Sequence, residues 1–235
     1  TEVERKSIED VVMSAGARQV FLVENPMLAA IGARLPVTDS VGTMVVDLGG
    51  GKTEIAVLSL GGVVTWKSLP IAGDELNRTI MQYAREVFNL LLGDKMAEQV
   101  KMRIGSAVPG DAPAQMEMRG RDLITGLPKE ITVNDGQIRE ALHRSIGTIV
   151  ENIKAALENT PPELVADIYE RGIVLTGGTS LLRGLDVLIS RQAQIPVRVA
   201  EDPMTCAVRG AGALLDQDVV LKDMALPSTL TGGLV

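Results

Sequence analysis

Cysteine and histidine are nearly absent from this sequence, which has one of each in 235 residues. The single Cys206 permits no internal disulfide and agrees with a reducing cytoplasm; its setting from Met204 to Val208 reads as a packed helix turn rather than a catalytic thiol. The single His143 falls in a long helical pattern, on its solvated side. No window holds the ~20 unbroken apolar residues of a helical membrane span, and no basic leader precedes an apolar signal core. Basic side chains are also scarce. The 23 Lys and Arg against 30 Asp and Glu leave a formal net charge of −7, which disfavours nonspecific nucleic-acid binding. What remains is an ordinary globular composition, 46% hydrophobic and 23% charged, long enough for one large domain or two small ones.

The stretch Met44-Val-Val-Asp-Leu-Gly-Gly-Gly-Lys-Thr-Glu-Ile-Ala-Val-Leu-Ser-Leu60 carries the first chemical signal. An apolar run ends on an acid, three glycines follow, and a second apolar run departs at once. Consecutive glycines remove every Cβ from the turn, so backbone N–H groups can approach an anion such as phosphate. Asp47 at the end of a buried strand needs a partner or a cation, and magnesium held through water is a usual one beside phosphates. Thr53 adds a hydroxyl at the far end. The same residues also fit a plain β-hairpin with a glycine-rich turn and a capping aspartate. A Walker A loop is excluded: Val46 stands where it needs a glycine, and Glu54 to Leu60 is β-like where it needs a helix.

Before this stretch, Val3, Ile8, Val11, Val12 and Ala15 recur at helical spacing up to Gly16, Val20–Val23 reads as a short buried strand, and Met27–Ala33 reads as a helix with Pro26 at its start. Residues 36–42 form a polar linker. After a meander of strands ending near Pro70, Gly73-Asp74-Glu75 starts a helix with Leu76, Ile80, Tyr83, Ala84, Val87 and Leu91 on one face. Asp94 caps the next helix, which turns Ala97, Val100 and Ile104 inward and sets Glu98 and Lys101 three apart, the spacing of an exposed salt bridge. A loop and two strands, Met116–Arg121 and Lys129–Val133, complete a small insert. Asn134 then caps a long helix whose Ile138, Leu142, Ile146, Ile149, Ile153 and Leu157 step by three or four. Pro161 and Pro162 break it. Finally Ile173–Thr176 is a buried strand delivering Gly177-Gly178-Thr179-Ser180 and then a helix, an arrangement that offers N–H groups and a helix dipole to a ligand at a strand end. Together the two glycine turns suggest two walls of one nucleotide cleft.

Asp47-Leu-Gly-Gly-Gly-Lys-Thr-Glu54, Ile71-Ala-Gly-Asp-Glu75, Ala97-Glu-Gln-Val-Lys101, Thr160-Pro-Pro-Glu-Leu-Val165 and Leu175-Thr-Gly-Gly-Thr-Ser-Leu-Leu-Arg-Gly184 together resemble the MreB family of bacterial actin homologues, in family order and over nearly the whole chain. The resemblance implies an α/β fold of the actin, Hsp70 and hexokinase (ribonuclease H-like) type, mostly its second domain plus the end of the first. Residues 1–38 would be a remnant of the first domain, 39–70 and 135–205 the nucleotide-binding core of the second, 71–134 its small lobe, and 206–235 a helix returning to the first domain with a tail. ATP and Mg would lie between the domains. Asp47 would face the metal through water, Gly49, Gly50 and Gly51 with Lys52 and Thr53 the phosphates, Glu98 and Lys101 the ribose and base, and Gly177, Gly178 and Thr179 the nucleotide's inner face. The family implies a homopolymer of paired antiparallel filaments, cytoplasmic and peripheral on the inner face of the cell membrane, which works with cell-wall elongation proteins to maintain rod shape.

Three features depart from the family pattern. Its first phosphate loop, an Asp-x-Gly-Thr, has no counterpart, and the chain opens in a charged helical pattern without an initiator methionine. The expectation is therefore a piece of a longer protein that does not close an ATP site alone. Asn25 stands where the family usually has the glutamate that orients the attacking water, and an amide cannot accept that water's proton. Lys52 stands where a threonine is usual; its cation would hold the γ-phosphate and crowd the nucleophile. The family's slow ATPase activity would then be slower still. The rivals from other classes are an Hsp70-like chaperone nucleotide domain and a sugar-kinase-type phosphotransferase.

Overall fold

Thr1 and Glu4 form a reciprocal capping box, so helix α1 (Glu2–Ser14) begins with the chain. It stops as the sequence predicts, with Gly16 at φ +100°. Its apolar stripe does not pack, however: Val3, Ile8 and Val11 are exposed. The structure, a computed structural model, describes residues 1–110 and 112–227. The strand expected at Val20–Val23 is not formed. A strand needs a ladder, and among the described residues this half-buried, irregular segment has one backbone bond of that kind, from Leu226 N–H to the Leu22 carbonyl at 2.7 Å. Helix α2 (Asn25–Gly32) follows, with Pro26 in its first turn and Met27, Ala29 and Ala30 buried.

The two apolar runs around the first glycine turn pair as an antiparallel hairpin, β1 (Thr43–Leu48) and β2 (Thr53–Ser59), and β3 (Gly62–Leu69) continues the meander. In the β1–β2 register Asp47 lies opposite Glu54 and Leu48 opposite Thr53. Helix α3 (Gly73–Phe88) buries Leu76, Ile80 and Ala84. Its apolar face ends there: Val87 is exposed, and Leu91 belongs to the short strand β4 (Leu90–Leu91). Helix α4 (Asp94–Ile104) buries Ala97, Val100 and Ile104 as expected, but Gly93 is its N-cap and Asp94 sits inside the first turn, where a carboxylate favours the helix dipole. Strands β5 (Gln115–Asp122) and β6 (Pro128–Asn134) form a hairpin that pairs with β4 in a three-stranded sheet.

The 24-residue helix α5 (Asp135–Glu158) starts at a capping box of Asn134 and Gln137 and packs Ile138, Leu142, Ile146, Ile149 and Ile153 into the main core, leaving His143 exposed. After α6 (Pro162–Arg171), strand β7 (Ile173–Thr176) enters beside β1 in parallel, and after α7 (Leu185–Ala193) strand β8 (Val197–Val199) adds to β7. The large sheet thus runs β3-β2-β1-β7-β8, which puts the ends of β1 and β7 side by side. Between β7 and α7 the chain makes a 3₁₀ turn, Gly178–Leu181, in place of the expected direct entry into a helix; α7 begins after Gly184, so its dipole is not at the glycine turn.

Helix α8 (Cys206–Leu215) crosses α2 at backbone distance, and α9 (Asp218–Met224) follows it. A Cβ on Gly210 would stand 1.9 Å from the Leu28 carbonyl oxygen, and one on Gly32 would stand 1.8 Å from that of Cys206. The Cys206 thiol is fully buried, and burial pushes its pKa up against the pull of Arg209, as suits a packing residue. Because the Gly210 contact is with backbone, Gly210→Ala should lower stability by about 1–3 kcal/mol in thermal unfolding. In the same helix Gly212→Ala meets nothing within 4 Å and should raise stability by about 0.5–1 kcal/mol.

Candidate functional site

Side-by-side strand ends bring the two glycine turns onto one cleft of about 560 Å³. Gly49 and Gly50 form one wall and Gly177, Gly178 and Thr179 another. The walls are tied together: the Thr179 hydroxyl donates to the Gly49 carbonyl at 2.8 Å, and Gly73 and Asp74 N–H donate to the carbonyls of Gly49 and Gly50 at 3.1 and 2.8 Å. Only glycine fits at 177, where φ is +80° and a Cβ would lie 2.3 Å from the Leu48 carbonyl oxygen.

Helix α4 supplies the third wall through Glu98 and Lys101. They are not an exposed helix pair: Lys101 is 9% exposed, and its ammonium donates to Glu98 and to the Gly73 carbonyl, both at 2.9 Å. Burial pushes the Glu98 pKa up, but hydrogen bonds from Asn77 and Lys101 and the Lys101 charge outweigh it and hold the carboxyl below its ordinary range. Apolar side chains, among them Met102, Leu182 and Met204, line the rest. The cleft therefore offers glycine backbone at one end and a charged pair beside apolar surface at the other.

Asp47 stands half-buried on the cleft wall. One carboxylate oxygen accepts from the Thr176 hydroxyl at 2.7 Å and the other from the Asn25 amide at 2.9 Å. The same Asn25 nitrogen donates to Glu54 at 2.9 Å, and Lys52 completes the row with its ammonium 2.8 Å from Glu54. Asp47 and Asp74 both face the cleft, whereas no group of three or more His, Cys, Asp or Glu side chains that could cage a metal occurs among the described residues. That donor set fits a hydrated divalent cation shared with phosphates, which needs only one or two carboxylates.

Of the residues singled out in the sequence, Asp47, Gly49, Gly50, Glu98, Lys101, Gly177, Gly178 and Thr179 meet at the cleft. Gly51, Lys52, Thr53 and Asn25 do not line it. For Thr53 this corrects the expectation: the residue is fully buried, and its hydroxyl donates to the Ile71 carbonyl at 2.7 Å. Sequence reading missed Asp74, whose helix-start motif was visible, and Met102, Met204 and Arg183, for which no local signal exists.

A family model described as "MreB/Mbl protein" matches residues 1–223. The cell shape-determining protein MreB of Escherichia coli strain K12 is 51% identical over 216 residues, 92% of this chain and 62% of that protein. The chain thus spans about 62% of the length of that relative. Among solved structures, MreB5 of Spiroplasma citri, seen with ADP and with AMPPNP, superposes with a TM-score of 0.90 at 34% identity, the ADP form over 95% of this chain and 67% of its own. A MamK double helical filament, 24% identical, superposes over 83% of this chain and 59% of its own with a TM-score of 0.69, and at that identity shows the fold alone. The expected α/β fold of actin type is therefore the fold of this chain.

The lowered Glu98 pKa fixes the sign of a pH effect. A carboxyl whose folded pKa lies below its unfolded value contributes stability that is fully present above the unfolded pKa and is lost as pH falls through the folded one. Urea midpoints followed downward from about pH 5 should therefore drop more steeply for the parent protein than for Glu98→Gln; parallel curves would contradict the pairing.

Proposed function

Because the chain belongs to the MreB/Mbl family, we propose that it is the nucleotide-binding part of an actin-like cytoskeletal protein that binds ATP with magnesium and polymerises. The observation that carries this reading is the cleft itself: two glycine turns locked wall to wall, with Asp47 and the Glu98–Lys101 pair around them. Superposition on a relative seen with ADP and with AMPPNP supports it. In this reading the phosphates lie against Gly49, Gly50, Gly177 and Gly178, the ribose and base against Glu98, Lys101 and the apolar lining, and magnesium is held by Asp47 through water. The chain divides into residues 1–38 and 206–235 attached to a first domain, a core of 39–70 with 135–205, and a lobe of 71–134; residues 228–235 of the tail lie outside the described residues.

By family, the polymer is a paired filament, cytoplasmic and peripheral on the inner face of the membrane, that guides cell-wall elongation proteins and maintains rod shape. No helix among the described residues is long and apolar enough to cross a membrane. Family membership leaves the chaperone and sugar-kinase alternatives without support.

A second reading, assembly with little hydrolysis, rests on Asn25. Its amide nitrogen is committed to two carboxylates, so the group that would meet an attacking water has no basic oxygen of carboxylate strength to offer. Sedimentation of the full-length protein with ATP, with ADP and with a nonhydrolysable analogue, with phosphate followed in the same tubes, tests both readings. ATP-dependent pelleting with little phosphate is expected, and Asn25→Glu with Lys52→Thr should raise phosphate release at least about tenfold. No pelleting under any nucleotide would contradict the filament, and unchanged phosphate release in the double variant would contradict the role given to Asn25 and Lys52.

A further inference from the structure

Asn77 is a polar residue on the buried side of α3, between Leu76 and Ile80 of its core-facing series, and is 8% exposed. Its amide N–H reaches across to α4 and donates to Oε2 of Glu98. Lys101 donates to the same oxygen and to the Gly73 carbonyl, both at 2.9 Å. Gly73 and Asn77 stand four apart, so successive turns of α3 hold the two ends of the Glu98–Lys101 pair. Among the described residues no side chain donates to the other oxygen of Glu98, Oε1.

The amide oxygen of Asn77 is itself buried and, among the described residues, without a partner. Turning the amide over would give no relief, because it would set that oxygen against the Glu98 carboxylate. A buried carbonyl left bare costs folding at least what one hydrogen bond returns. A leucine of similar shape would therefore serve the packing of α3 on α4 as well or better. The asparagine is explained by what it does to Glu98, which lines the cleft with a side chain 43% exposed.

We propose that Asn77 is a positioning residue, which pins one oxygen of Glu98 and so presents the other to the hydroxyl groups of a nucleotide's ribose. The inference rests on the nucleotide reading of the cleft and adds to it a residue outside the cleft lining. One donor would leave the carboxylate free to swing about the Lys101 ammonium, whereas a second donor on the same oxygen fixes its plane. Oε1 then keeps one direction, and an ionised carboxylate oxygen can only accept. A ribose hydroxyl satisfies it. A sugar without hydroxyls covers a charged oxygen and gives it no donor, and that asymmetry selects ribose over its deoxy forms.

Calorimetric binding of ATP and of 2′,3′-dideoxy-ATP to the full-length protein with magnesium, beside thermal unfolding of each variant, separates positioning from packing. The parent should prefer ATP by about tenfold or more. Asn77→Leu should melt no lower than the parent, lose about tenfold in ATP affinity and bind the dideoxy analogue as the parent does. In a Glu98→Ala background, adding Asn77→Leu should change neither affinity, because Asn77 acts through Glu98. A lower melting temperature with equal losses for both nucleotides would make Asn77 a packing residue and overturn the inference. Equal affinity of the parent for the two nucleotides would overturn the presentation of Oε1 to ribose while leaving the nucleotide site intact. Failure of the parent to bind either nucleotide would overturn the nucleotide reading itself, and this inference with it.

Discussion

A single neutral amide between two facing carboxylates sets the terms for everything around the cleft. Strand pairing fixes Asp47 and Glu54 opposite each other, and neither can move without breaking the β1–β2 register. Asn25, at the first turn of α2, donates to both. This contact ties the helix that precedes the sheet to the end of the strand that carries the glycine turn, and Thr176 ties the neighbouring strand β7 to the same aspartate. Local charge thus couples three elements. A glutamate in place of Asn25 would put a third carboxylate into the row with Lys52 as its ion-pair partner, so the residues at 25 and 52 are one electrostatic unit.

Backbone approach sets the other half of the geometry. The order β3-β2-β1-β7-β8 places the ends of β1 and β7 next to each other, and glycine at 177 lets the second turn pass against Leu48. Thr179, Gly73 and Asp74 then close hydrogen bonds onto the first turn. The cleft is preorganised because its two glycine-rich walls are held by each other rather than by loose loops, which is what a site for a flexible phosphate chain requires.

Much of this was legible in the sequence because the signals are local. The three- and four-residue steps from Ile138 to Ile153 give α5, the apolar runs around three glycines give β1 and β2, and Asp47, Gly177 and Gly178 reach the cleft as the strand-end pattern implies. The misses are tertiary. Helical spacing made α1 a helix but could not say that Val3, Ile8 and Val11 would be exposed, and an apolar tetrapeptide at Val20–Val23 is a strand only where a neighbour supplies a ladder. Thr53 looked like a ligand from its place beside the loop, yet alternation along β2 turns it into the interior, onto the Ile71 carbonyl. The Glu98–Lys101 spacing was visible, whereas the burial of Lys101 against the Gly73 carbonyl, supplied by another helix, was not.

We propose that the two glycine turns hold a nucleotide's phosphates beside Asp47. A crystal structure of the protein grown with ADP and magnesium tests it most directly. The diphosphate is expected against Gly49, Gly50, Gly177 and Gly178, with the base toward Met102 and Met204. A nucleotide bound elsewhere, with this cleft filled only by water, would contradict it.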